Sequence, residues 1–299
     1  MDDGVTEFSH LCRVCGKKMT VVYPYEQFPY HITCAPDDVT VPGMDDTLGD
    51  IALREDLTDI ILWGARSEGR SQQVMLGCSE AGDPCERKIA YTLAGSEQVN
   101  HNIEVWPSTV GTSIHTWLES KIKAYQQVHG DAGWLTELEV WPSDELPGHT
   151  DLYHRPSQTV LDLKNPSRAN YRKMKKEGVG QVYETQFQLY GAGNVRAGRP
   201  VKRVGVVMLP RDGNLKEMWV KTWPYDRDAA WEAVKRVRRI GREALELDVQ
   251  NHPENYARIP AEPSRLCGWC KFYRGGTSPA DGTGCPGQTT GDPVDDLFQ

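Results

Sequence analysis

The chain has 299 residues, 38% of them apolar and 25% charged, and a net charge of −8. That length holds one sizeable core plus a small extra module, and no apolar run is long enough to span a bilayer. The negative balance argues against a protein that grips nucleic acid by charge alone. It leaves room for an enzyme whose clustered carboxylates are offset by a metal. The acidic N-terminus has no apolar signal core, so a cytoplasmic protein is expected.

Eight cysteines stand at positions 12, 15, 34, 78, 85, 267, 270 and 285. With no export signal, paired C-x-x-C spacings point to metal before disulfides. In residues 1–36, Cys12-x-x-Cys15 and His31-x-x-Cys34 match a closed structural Zn²⁺ site, which folds a segment too short for its own core. The aromatics between them (Tyr23, Tyr25, Phe28, Tyr30) pack such a module or stack on bases, and packing is the commoner use. Residues 37–58 are acidic with Pro and Gly and read as a linker. Residues 59–287 form the main domain, and the polar, acidic tail at 288–299 is expected to be disordered.

Within the main domain, residues 110–128 have a helical apolar stripe of Ile114, Trp117, Leu118 and Tyr125. Residues 135–141 alternate as a strand, with Thr136, Leu138 and Val140 on one face and Glu137 and Glu139 on the other. A short strand at 149–153 and another at 158–164 follow, then a helix at 179–195 and strands at 201–209 and 215–222. Residues 226–247 form a long helix with Trp231, Val234, Val237 and Ile240 at helical spacing. This order predicts an α/β core whose three successive strands are antiparallel. Two runs, 164–176 and 235–242, are strongly basic, and each reads equally as a solvated face or as a DNA contact.

The sharpest signal is V-L-D-L-K at 160–164. Asp162 and Lys164 are two apart on a strand and share one face, while Leu161 and Leu163 take the other. An ionic pair on an apolar strand needs a reason. Alone, the pair reads more readily as an edge-strand ion pair than as a metal site. A hairpin through 154–157 changes that by setting Asp151 of G-H-T-D-L beside Asp162. Two converging carboxylates need a cation between them, and oxygen ligands suit Mg²⁺ or Mn²⁺. Gln186 and Tyr190 are four apart and share a helix face. His115 on the first helix offers a nitrogen ligand that favours Mn²⁺. Glu119 is one turn on, and Glu137 and Glu139 support the site with no motif to fix them.

The ordered set His115, Asp151, Asp162-x-Lys164 and Gln186-x-x-x-Tyr190 resembles the RecB-type PD-(D/E)xK nucleases. These include the nuclease domains of bacterial recombination helicases, lambda-type exonucleases and CRISPR-associated exonucleases. The resemblance covers residues 77–287, with Thr150 where a proline would precede the first aspartate. It implies a restriction-endonuclease-like core, a mixed central sheet flanked by helices. It also implies that His115, Asp151 and Asp162 hold the metal and Lys164 assists the attacking water. Gln186 and Tyr190 would line the site and contact DNA. The implied activity is a metal-dependent DNA exonuclease on single strands or duplex ends, serving recombination, replication or end-processing beside a partner protein, in a phage or a bacterium.

Cys267-x-x-Cys270 and Cys285 after the last helix, with Cys85 upstream, make four thiolates that staple both ends of the domain. Four cysteines suit zinc or a [4Fe–4S] cluster, and geometry does not choose. C-x-R-K-x-A-Y around Cys85 is similar to the iron–sulfur subgroup of the same nucleases, which implies a structural [4Fe–4S] cluster. Cys78 competes with Cys85 for the early ligand, and the stretch from Cys270 to Cys285 is longer than the subgroup's spacing. The rivals to an exonuclease are a structure-specific endonuclease and a catalytically silent nucleic-acid-binding scaffold.

Overall fold

The computed structural model describes residues 8–11, 18–21, 46–67, 75–100, 103–262, 265–276 and 284–287. It divides into two units, Met1–Glu68 and Gly69–Gln299. The first contains an antiparallel pair, β1 (Phe8–Leu11) and β2 (Lys18–Val21), and a helix, α1 (Asp46–Ser67). Cys12, Cys15, His31, Cys34 and the aromatics between them lie outside the described residues, as do 37–45 and the 288–299 tail. The linker expected over 37–58 is not linker throughout, because α1 begins at Asp46. Ala52, Leu53, Arg54, Glu55 and Leu57 are strong helix formers with no proline among them, and they outweigh the acidic character that suggested a linker.

The second unit runs α2 (Glu86–Leu93), α3 (Trp106–His129), β3 (Trp134–Ser143), β4 (Leu146–His154), β5 (Thr159–Lys164), α4 (Arg168–Glu177), α5 (Gln181–Arg196), β6 (Arg203–Met208), β7 (Trp219–Pro224) and α6 (Arg227–Glu246). The five strands form one sheet in the order β3-β4-β5-β6-β7. Strands β3, β4 and β5 are antiparallel, β5 and β6 parallel, and β6 and β7 antiparallel. This is the mixed sheet flanked by helices that the sequence predicts. Helices α2 and α4 are additions. Helix α4 lies inside the first basic run, where Ser167 caps its start by accepting from the Asn170 amide. No helix among the described residues is long and apolar enough to cross a membrane.

The larger core joins Val140, Val160, Val204 and Val206 of the sheet to Phe187 and Leu189 of α5 and to Val234, Val237 and Ile240 of α6. A second layer packs Leu152, Leu161, Leu163 and Val207 against Ile114, Leu118 and Ile122 of α3. Trp117 and Tyr125, expected in the α3 stripe, are exposed instead. Ile122 completes the stripe, since positions 114, 118 and 122 keep to one side of a 3.6-residue turn. On α6, Ala230 takes the inward position expected of Trp231, whose ring lies beneath the Arg238 guanidinium.

Candidate metal centre

Strand β5 carries the site by alternation. Leu161 and Leu163 enter the α3 layer, while Val160 joins the larger core and Asp162 meets α5. The turn at 155–158 pairs Leu152 with Leu161 and Tyr153 with Val160. The paired rungs end at Leu152–Leu161, and the carboxyls of Asp151 and Asp162 just beyond them interact electrostatically. Asp151 Oδ2 accepts from the Leu163 amide at 2.7 Å.

Strand alternation breaks at one rung. Leu135 and Leu138 both pack against the larger core, although residues three apart on a regular strand face opposite ways. Between them Glu137 has φ of 47°, a left-handed conformation that costs a non-glycine residue about 1–3 kcal/mol. Strand β4 shows the matching break. Thr150 accepts from Asn194 of α5, whereas Leu152 lies in the α3 layer. The expected sharing of one face by Thr136 and Leu138 therefore fails, since Thr136 opposes Leu152 of the α3 layer, while Glu137 stays on the face opposite Leu138 and Val140 as expected. Its carboxylate joins His115 of α3 and Asp151, and one ligand atom from each of the three lies within 4.8 Å of the others. His115 Nδ1 is 3.3 Å from Asp151 Oδ1. That nitrogen is fully buried, and its direction forms no hydrogen bond.

The other half of the site is an ion pair tied to α5. Lys164 Nζ is 2.6 Å from Asp162 Oδ2, and the Asp162 side chain is 2% exposed. Gln186 Nε2 donates to Asp162 Oδ1 and to the Tyr190 hydroxyl, each at 2.9 Å. Gln186 and Tyr190, for which the resemblance implies DNA contact, are buried. Gln186 Nε2 is shared between Asp162 and the Tyr190 hydroxyl. Lys164 also lies over the Tyr183 ring, 5.0 Å from its centroid.

The electrostatics separate the two carboxyls. Burial, opposed by Lys164 and reinforced by Asp151, pushes the Asp162 carboxyl up to about 6. Burial acts the same way on Asp151, but His115, Lys164 and the Leu163 amide outweigh it and hold the carboxyl below its usual range. Burial also works against charge on Lys164, yet Asp162, Tyr183 and Asp151 raise its pKa, so it remains an ammonium at neutral pH. Glu119 is taken by Lys123 one turn along α3. Glu139 accepts from the Trp141 indole at 2.9 Å.

The basic runs diverge. In 235–242, Arg236 donates to the carbonyls of Ala81, Asp83 and Pro84. Arg238 pairs with Glu145 and Arg239 with Glu86, so these charges brace the fold. On α4, Arg172, Lys173, Lys175 and Lys176 are exposed, one short turn beyond Lys164.

The cysteines from the two ends of the domain converge. Cys85 precedes α2, and Cys270 has Lys88, Cys285 and Cys85 as electrostatic neighbours, its thiol pushed up to about 11 by burial. Cys285 forms a bridge with Tyr273. Cys267 lies against Gly287, where an added Cβ would stand 2.9 Å from its own. Asn100 Nδ2 donates to the carbonyls of Gly268 and Cys270, which fixes the C-x-x-C turn. The Tyr91 hydroxyl is buried with no hydrogen-bond partner and has Cys285 and Cys270 as neighbours. Cys78, the competitor for the early position, is elsewhere. It packs against Gly148 and Tyr190, and burial pushes its thiol up to about 12.

No family model and no curated protein matches the chain. Among solved structures it is similar to an alkaline exonuclease, LHK-Exo, from Laribacter hongkongensis, at 14% identity and a TM-score of 0.42 over 64% of this chain and 97% of that one. The same exonuclease in complex with dAMP gives 13% and 0.42, again over 64% and 97%. The structure of SSO0001 gives 17% and 0.43 over 72% of this chain and 94% of that one. Likeness at this level is silent on chemistry, which the side chains must carry.

Proposed function

We propose that the chain is a divalent-metal-dependent deoxyribonuclease, an exonuclease working on single strands or duplex ends. The observation that carries this reading is the two buried carboxyls Asp151 and Asp162, close enough to interact electrostatically, with Lys164 at 2.6 Å from Asp162. Two interacting carboxylates in a poorly solvated layer call for a cation. The unpartnered, buried His115 Nδ1 fits that need. His115, Asp151 and Asp162 would hold Mg²⁺ or Mn²⁺. When bound, the ion polarises a phosphodiester and makes a water nucleophilic at neutral pH.

The rest belongs to the chain's own residues. In-line attack at phosphorus builds negative charge on the non-bridging oxygens, and the Lys164 ammonium is placed to stabilise it. Gln186 fixes the Asp162 carboxylate and Tyr190 fixes Gln186. The exposed cations of α4 offer a path for the phosphate backbone toward the site. A structural [4Fe–4S] cluster is the occupant proposed for Cys85, Cys267, Cys270 and Cys285. None of the four is in a disulfide, and the buried Tyr91 hydroxyl, which forms no hydrogen bond, suits a donor to a metal-bound sulfur. Zn²⁺ at Cys12, Cys15, His31 and Cys34, in a module of residues 1–36 joined by a linker to the nuclease domain, stands on spacing alone. The biological setting proposed is recombination, replication or end-processing with a partner protein, in bacterial or phage-infected cytoplasm.

The test uses anaerobically purified protein with end-labelled linear DNA and circular single-stranded DNA. The expected result is Mn²⁺-dependent loss of the linear substrate to short products while the circle survives. Cleavage of the circle makes it an endonuclease. Binding with no cleavage in any metal leaves a scaffold and overturns the proposal.

A further inference from the structure

Three elements deliver one ligand each to the same point: His115 from α3, Glu137 from β3 and Asp151 from β4. Ligand atoms around a cation with bonds of about 2.1 Å stand roughly 3 to 4.2 Å apart. The His115–Asp151 approach of 3.3 Å already lies in that range. The bound of 4.8 Å on the whole group leaves only small side-chain movements to close it. A cavity of about 10 Å³ opens among these residues, with Glu119 and Leu163 on its wall, room for a single water-sized atom. Glu137 is the carboxylate that joins His115 and Asp151 in this group.

We propose that Glu137 is a further direct ligand of the divalent cation, beside His115 and Asp151. The break in alternation at this rung leaves Glu137 on the face opposite Leu138 and Val140, which pack in the larger core, and so beside His115 of α3. One nitrogen with two carboxylates selects Mn²⁺ over Mg²⁺. The inference rests on the nuclease reading for what the ion does, and not for its binding.

Mn²⁺ binding separates the two questions, so it is titrated by calorimetry into the full-length wild type and into Glu137→Gln and Glu139→Gln variants, without DNA. Thermal melts of the metal-free proteins show whether each variant is folded. The expected result is that Glu137→Gln weakens the tightest Mn²⁺ site by at least about tenfold while Glu139→Gln leaves it unchanged. Glu137→Asp, which keeps the charge and shortens the reach, should fall between them if Glu137→Gln proves too unstable to measure. Equal Mn²⁺ affinity in wild type and in the folded Glu137 variants overturns the assignment. Glu137-dependent Mn²⁺ binding by a protein that cuts no DNA keeps the site and removes the nuclease.

Discussion

Asp162 is an almost wholly buried carboxyl, and the pH behaviour of the metal-free protein should report it. Its folded pKa is raised to about 6, above the reference value of about 3.9, so the native state binds this proton more tightly than the unfolded chain does. That contribution to stability is complete below the unfolded value and is lost as pH rises through about 6. A cation that takes the proton's place reverses the loss. Mn²⁺ should therefore raise the melting temperature clearly at pH 7.5 and little at pH 5. Equal shifts at both pH values would contradict the site. Asp162, Lys164, Gln186 and Tyr190 were legible in the sequence because two-residue and four-residue spacings fix shared faces. Glu137 could be noted but not assigned, because alternation put it on one face with Glu139 and did not say which of the two meets His115. Nothing in a glutamate announces a positive φ. The signal available was the hairpin register, which sets Glu137 opposite Asp151 once β3 and β4 are aligned.

At the scale of elements, α4 is the candidate surface for DNA, and the second basic run is not. Both basic runs look alike as sequence, yet Arg236, Arg238 and Arg239 are committed to carbonyls and carboxylates. Lys173 and Lys176 are exposed on α4, the helix that follows β5 in the chain. Replacing both with alanine should weaken duplex DNA binding uniformly across sequences. It should also reduce the slope of log affinity against log salt by about 2. An unchanged slope would place the DNA elsewhere. The strands were legible from alternation and the long helices from apolar period. Helix α4 was not, because only Tyr171 of its residues is fully buried and a short, highly charged segment carries little apolar pattern. The exposure of Trp117 and Trp231 has a related cause. Composition marks a tryptophan as apolar, but only packing decides which of two adjacent positions turns inward.

For the molecule as a whole, the cysteines join the beginning of the second unit to its end. Arg87 reinforces that closure by donating to the carbonyls of Ala257 and Ile259. If the thiols hold an iron–sulfur cluster, Cys85→Ser should lose most of its iron and acid-labile sulfide and melt at lower temperature. Cys78→Ser should keep its iron, since Cys78 packs against Gly148 and Tyr190. Stoichiometric zinc in place of iron in the anaerobic wild type would refute the cluster. The α/β class and the antiparallel run of the first three strands of the main sheet were readable from the succession of elements. The limit between the units was not, because acidic residues conceal the helix-forming run of α1.

The most direct test of the central claim compares wild type with Asp162→Asn on end-labelled DNA in Mn²⁺, in Mg²⁺ and in EDTA, with DNA binding and thermal melting measured on both proteins. The predicted result is metal-dependent degradation by the wild type, none in EDTA, and none above background by a variant that still folds and binds. Degradation by Asp162→Asn at the wild-type rate, or persistence in EDTA, would contradict it.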